Sequence, residues 1–278
     1  MKKIILSISF LSLMMTGIAQ EEQNANDDTT KIKLGNMTII IDEGGDGDDF
    51  EDFDVDIIED DDCDGDCRDF GMTSNFNIGA NGWLTSDNKT AMPSDYENMA
   101  IDYGASRIFN VNFMFYGADV FNRRLYVSPG FGFTWNSYKF NNNIQISTGG
   151  DTTMFMTDSV RKFEKFKLRT SYLEVPLVVG LRLGDADNNP LTIEAGLIGG
   201  LNLNNVVKQK YITDGTRYKD RIRDDYNINP FRLDATARVQ IGGFGIFARY
   251  GLQSLFQDGK TQEVYPFSVG ISLGSVSS

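Results

Sequence analysis

Histidine is absent from all 278 residues. Without it there is no Ser-His-Asp or Cys-His machinery, no histidine-ligated zinc, and no use of the commonest general base near neutral pH. An enzyme is therefore not expected. Basic side chains are in deficit, 26 Lys and Arg against 39 Asp and Glu for a net charge of −13, so the chain as a whole has no means of neutralising a run of phosphates and no nucleic-acid partner is expected. Long apolar runs are missing as well. After the first twenty residues, every apolar stretch is broken each second or third position by Gly or a polar residue, far short of the ~20 apolar residues a transmembrane helix needs.

The amino terminus is the one exception to this lack of grease, and it is short. Lys2 and Lys3 precede the apolar run Ile4 to Met15, and the small residues Gly17 and Ala19 stand three and one positions before a cut at Gln20. Residues 1–19 read as a cleaved secretory signal. No Cys follows the cut, which argues against a lipoprotein.

The missing positive charge is a local matter. Residues 42–69 carry 16 acids and one base, Arg68, for −15, so everything else sums to +2. Blocks of like charge are usually solvated, and 20–70 reads as an acidic, largely disordered periplasmic segment. Within it Asp60, Asp62, Asp64, Gly65 and Asp66 match the opening of a calcium loop, but the twelfth position is Gly71, where a bidentate Glu is needed. Ca²⁺ is thus a weak candidate ligand, and no other cofactor is expected. Cys63 and Cys67 flank Gly65 and are close enough to form a small disulfide in an oxidising periplasm; two free thiols are the alternative. Upstream, 31–41 holds two short β-prone runs around Gly35-Asn36, which suits a hairpin or a docking strand.

From residue 71 onward the organising signal is two-residue alternation. In 231–241, Phe231, Leu233, Ala235, Ala237, Val239 and Ile241 fall on one face and Arg232, Asp234, Thr236, Arg238 and Gln240 on the other. The same pattern runs through 244–253 and 264–274 and organises 74–84, 106–118, 123–137, 168–183 and 190–203. These runs suit tilted membrane crossings of ~9 to 11 residues. Connections alternate as an outer-membrane barrel requires: 85–105, 138–167 and 204–230 are long, while 119–122, 184–189 and 242–243 are short. The expected fold is all-β, an eight-stranded antiparallel up-and-down transmembrane β-barrel over 71–278 with both termini periplasmic.

A soluble barrel would show the same alternation with its faces exchanged. Lysine separates the two. The nine lysines after residue 71 all fall in the expected connections or at the feet of strands, whereas the polar strand face is built from residues such as Asn75, Asn77, Asn110, Asn112, Ser128, Thr134 and Thr192. A water-exposed face accepts lysine freely; a narrow filled interior favours small polar residues and fixed Arg–carboxylate pairs. The polar face is therefore turned inward. Phe109, Phe113, Phe115, Phe131, Phe133, Trp135, Phe231, Tyr250, Tyr265 and Phe267 are then expected outside, as the lipid band and its aromatic edges. Inside, Glu174, Arg182, Glu194, Arg232, Asp234, Arg238 and Arg249 are expected to form a charge network. In an eight-stranded barrel, whose interior is just wide enough to be filled by side chains, that network is expected to be a plug rather than a conduction path.

The stretch Ser171-Tyr-Leu-Glu-Val-Pro-Leu-Val-Val-Gly-Leu-Arg182 resembles the "Y-L-E-I-P-L" strand of PorT-like outer-membrane β-barrel proteins of Bacteroidetes. The resemblance covers 71–278, with a Gly-rich last strand ending near Leu273. It implies an outer-membrane location in contact with lipid and insertion by the barrel-assembly machinery. Because one class of such proteins supports secretion, it also implies a periplasmic or secretion-complex partner. Eight-stranded lipid-modifying enzymes resemble this architecture too, but use a histidine this chain lacks. Two functions remain: a structural or interaction barrel that anchors the envelope or supports a secretion or assembly complex, and, as the alternative, a small transport or ligand-binding barrel.

Overall fold

The computed structural model describes residues 29–34, 37–42, 54–59, 72–115, 118–121, 124–149, 152–184, 191–213 and 216–274. The signal segment 1–19 lies outside these, as do Asp60, Asp62, Cys63, Asp64, Asp66 and Cys67. The chain divides into two compact units, residues 1–68 and 69–278. In the first, β1 (Thr29–Leu34), β2 (Met37–Asp42) and β3 (Asp54–Glu59) form an antiparallel sheet with β2 in the centre.

The second unit contains β4 (Met72–Thr85), β5 (Arg107–Phe115), β6 (Ala118–Phe121), β7 (Leu125–Lys139), β8 (Ile144–Gly149) and β9 (Thr152–Thr157). It continues with β10 (Lys162–Leu183), β11 (Leu191–Thr213), β12 (Thr216–Arg223), β13 (Phe231–Ile241), β14 (Phe244–Gly251) and β15 (Val264–Gly274). Eight of these close into an antiparallel barrel in the order β4-β5-β7-β10-β11-β13-β14-β15, with β15 returning to β4 and β6 extending the β5–β7 hairpin. Each barrel strand pairs with its barrel neighbour in sequence, as short antiparallel connections require. At the closing seam Gly270 lies opposite Gly79, and a Cβ on Gly270 would stand 2.1 Å from the Ile78 carbonyl oxygen, so this approach needs glycine. The Gly242-Gly243 connection turns tightly with Gly242 at φ 59°.

Register fixes the faces. Val175, Leu177, Val179, Leu181 and Leu183 on β10 point outward and are exposed, while Thr170, Tyr172, Glu174 and Val178 on the strand's other face are buried. On β15, Ile271 is 40% exposed and its neighbour Ser272 fully buried. Apolar side chains that face bulk around a closed barrel are stable only against hydrocarbon, and a polar lining is stable only if its groups bond one another. The expected aromatic girdle divides. Phe231 is widely exposed, whereas Phe113, Phe133 and Trp135, which register places on the outer face, are buried, with Phe113–Phe131 rings 5.1 Å apart and Phe133–Trp135 6.1 Å apart.

The long connections differ most from the sequence expectation. Strands β10 and β11 run on past the apolar band, and β12 folds back on β11 from Val206↔Arg223 to Thr213↔Thr216, so 204–230 is largely a β-extension. Likewise 138–167 contains the β8–β9 hairpin. Lys165, Lys167, Lys208 and Lys210 therefore lie in strands, beyond the apolar band, and the absence of lysine from the lipid-facing rows still holds.

The ion-paired lumen as candidate functional site

Two charged clusters cross the interior, each assembled from different strands. Nearer the long-loop end, Glu174 of β10 faces Arg232 of β13 and Arg249 of β14. Arg249 Nη2 donates to Glu174 Oε2 at 2.7 Å, and Arg232 pairs with Glu174 Oε1. Asp234 completes the set, 3.2 Å from Arg232 Nε and 3.7 Å from Arg249 Nη2. Two acids balance two bases, so the cluster is neutral. Polar neighbours add to the ion pairs: Asn110 Nδ2 donates to Glu174 Oε2 at 3.1 Å, and Arg249 Nη1 to Thr134 Oγ1 at 3.2 Å, while the Nε atoms of Arg232 and Arg249 are buried without a hydrogen-bond partner. Arg232 also lies over the Tyr172 ring, 4.0 Å from its centroid.

Nearer the short turns, Arg238 of β13 donates through Nε to Glu194 of β11 at 2.6 Å, and the Tyr126 hydroxyl donates to the other oxygen of Glu194. Arg182 stacks over the Tyr126 ring at 4.3 Å. The seven charged residues thus group in two layers, Glu174, Arg232, Asp234 and Arg249 in one and Arg182, Glu194 and Arg238 in the other. Between the layers lies a cavity of ≈ 30 Å³, lined by Asn77, Asn112, Thr236 and Phe247 among others. That is room for about two waters.

A family model described as "Outer membrane protein beta-barrel domain" matches residues 67–274. The chain belongs to the outer membrane protein beta-barrel domain family. Membership supports an outer-membrane location. No curated protein sequence matches the chain. Two solved structures of Ail, the attachment invasion locus protein of Yersinia pestis, are similar to this outer membrane protein beta-barrel domain at 14% identity, each covering 73% of this chain and 97% of Ail. One, in complex with the heparin analogue sucrose octasulfate, has a TM-score of 0.31, and the other 0.29.

Above the lumen, the long connections of this family member form a second core that alternation alone did not indicate. Trp83, Met99, Ile101, Tyr138, Phe140, Ile144, Phe166, Leu168, Tyr226, Leu255 and Phe256 are buried together, with Trp83 and Tyr138 rings 4.8 Å apart. Bridges Ile101↔Phe140 and Ile228↔Phe256 join connections far apart in sequence. Thr153 ties three of them: its N–H donates to the Lys260 carbonyl at 2.8 Å, its hydroxyl to the Tyr226 carbonyl at 2.8 Å, and Asn227 Nδ2 donates to its Oγ1 at 2.9 Å.

At the base of the β8–β9 hairpin, Asp158 accepts the N–H groups of Val160 and Arg161 and the Arg161 Nε, each at 2.9 Å. The Arg161 N–H, then that of Val160, and the guanidinium charge outweigh partial burial and hold the Asp158 carboxyl below its usual range. Burial, followed by the nearby charge of Asp224, pushes the Tyr226 hydroxyl up to about 12. Sequence reading missed Tyr126 and Tyr172 as partners of the lumen charges. Both occupy polar-face positions of alternating strands, which was the available signal.

Proposed function

We propose that this protein is a closed barrel with a structural or interaction role in the outer membrane, anchoring the envelope or supporting a secretion or assembly complex, as the PorT-like resemblance implies. In this reading it is not an enzyme. The short turns and both termini face the periplasm, where the acidic segment meets a periplasmic or secretion-complex partner. Insertion depends on the barrel-assembly machinery. The observation that carries the reading is the lumen: two ion-paired layers beneath a buried apolar cap close the only route a transporter of this width would have.

Planar bilayers containing the purified protein are expected to stay at background conductance, whereas a large stable current would overturn the plug and favour the transport alternative. Orientation is read separately. With Cys63 and Cys67 changed to Ser, a single Cys placed at Thr216 is expected to react with a membrane-impermeant maleimide on whole cells, and labelling only after the outer membrane is opened would reverse it.

A further inference from the structure

We infer that the β1–β2–β3 sheet docks by one face onto a basic periplasmic protein whose surface sets Lys and Arg around an apolar centre. This deepens the periplasmic-partner reading given above and rests on it. Register sorts the strand residues onto two unlike faces. Ile32 of β1 lies opposite Ile39 of β2, which lies opposite Ile57 of β3. The rows on either side, on the same face, are Thr30, Ile41 and Val55, and Leu34, Met37 and Glu59. Only Thr30 and Glu59 interrupt an apolar surface. The alternate rows make the other face, and they carry Lys31, Lys33, Asp42, Asp54 and Asp56.

A sheet with one apolar face is stable in water only when another layer covers that face. Among its described residues, the unit 1–68 holds these three strands and no second layer. Charge and size select the cover. The end of β2 and all of β3 lie within 42–69, where 16 acids and one base give −15. A second copy would set −15 against −15, with carboxylates at the rim of the face closer together than a Debye length of about 8 Å. Anionic lipid is repelled in the same way. Six residues by three strands make a face of about 300 Å², well short of the roughly 800 Å² each partner buries in a standard interface. The apolar contact therefore suffices as the centre of an interface but not as the whole of one. A basic rim on the partner supplies the remainder: it pairs with the acids that flank the face and steers the encounter.

The photo-crosslinker p-benzoylphenylalanine is placed at Ile39 or at Ile40 of the full chain, and intact cells are irradiated. Ile39 is expected to give an adduct to a second protein that Ile40 does not give. Peptide mass spectrometry is expected to place the crosslink in a partner segment where apolar residues lie beside Lys and Arg. With the crosslinker at Ile39, Ile57→Thr is expected to reduce the adduct about fivefold. Ile58→Thr, the same change on the other face, is expected to leave it unchanged. Changing Asp42, Asp54 and Asp56 together to Asn is expected to reduce it about fivefold as well. An adduct to a second copy, to lipid, or to residues 69–278 of the same chain would overturn the inference, as would equal loss in the two Thr variants. Equal adducts from Ile39 and Ile40 to one periplasmic protein would overturn the docking face while leaving the proposed partner in place. No adduct from either position would remove both.

Discussion

Glu174 concentrates the physics of the lumen in one residue. It is fully buried, and its two oxygens serve two guanidinium groups and an asparagine amide. Removing it leaves Arg232 and Arg249 desolvated with only Asp234 to share, and breaking a buried pair in this way costs about 3–5 kcal/mol. Glu174→Ala is therefore expected to lower the barrel's urea midpoint by more than any single change in the cluster nearer the short turns. Arg238→Ala is expected to destabilise less, because Arg238 and Glu194 each keep 11% of their side chains accessible and Tyr126 still donates to the carboxylate. In neither variant does conductance leave background, since the other layer still closes the lumen. Equal midpoints for the two variants would show that the clusters do not differ in desolvation. The charged residues themselves were legible from alternation. Their division into two layers was not, because layering depends on strand stagger, which no single strand's pattern records.

The β8–β9 hairpin shows how an element outside the membrane is held. Asn143 grips its base from the other side: its Nδ2 donates to the Arg161 carbonyl at 2.6 Å and its Oδ1 accepts the Phe163 N–H at 2.8 Å. Asp158 supplies the charged half of this clamp. Because its folded-state pKa lies below the ordinary aspartate value of 3.8, its contribution is fully present above that value and is lost as pH falls through the folded-state value. Hydrogen-exchange protection of the β8 and β9 amides is expected to drop in acid while the barrel strands stay protected. Asp158→Asn is expected to show reduced hairpin protection at neutral pH and no acid step. Persistence of the acid step in that variant would assign it to another carboxylate. The hairpin could be suspected from the alternation Ile144-Gln-Ile146 and the short apolar run Met154-Phe-Met156 inside a long connection. Their partner core could not, since it draws on four connections separated by more than a hundred residues.

At the scale of the molecule, two barriers in series close the barrel: the ionic layers within the membrane and the apolar cap above it. They are built by different forces and should fail independently. Replacing 140–161 with a short Gly-Ser linker is expected to leave a heat-modifiable barrel at background conductance, with Trp83 fluorescence shifted to the red as its cover is removed. A conducting barrel after that deletion would make the cap, rather than the ion pairs, the seal.

Strand number, antiparallel order and the inward turn of the polar face were determined by the sequence alone. Alternation at period two and the distribution of lysine are one-dimensional records of which side meets hydrocarbon. Only the tertiary structure decided how the charges group, that the long connections fold into a core, and that Lys167, Lys208 and Arg221 stand opposite one another across three strands. Those properties arise from cross-strand register and from contacts between distant loops. Lys167, Lys208 and Arg221 are scattered cations along the chain, and become a row only when three strands pair.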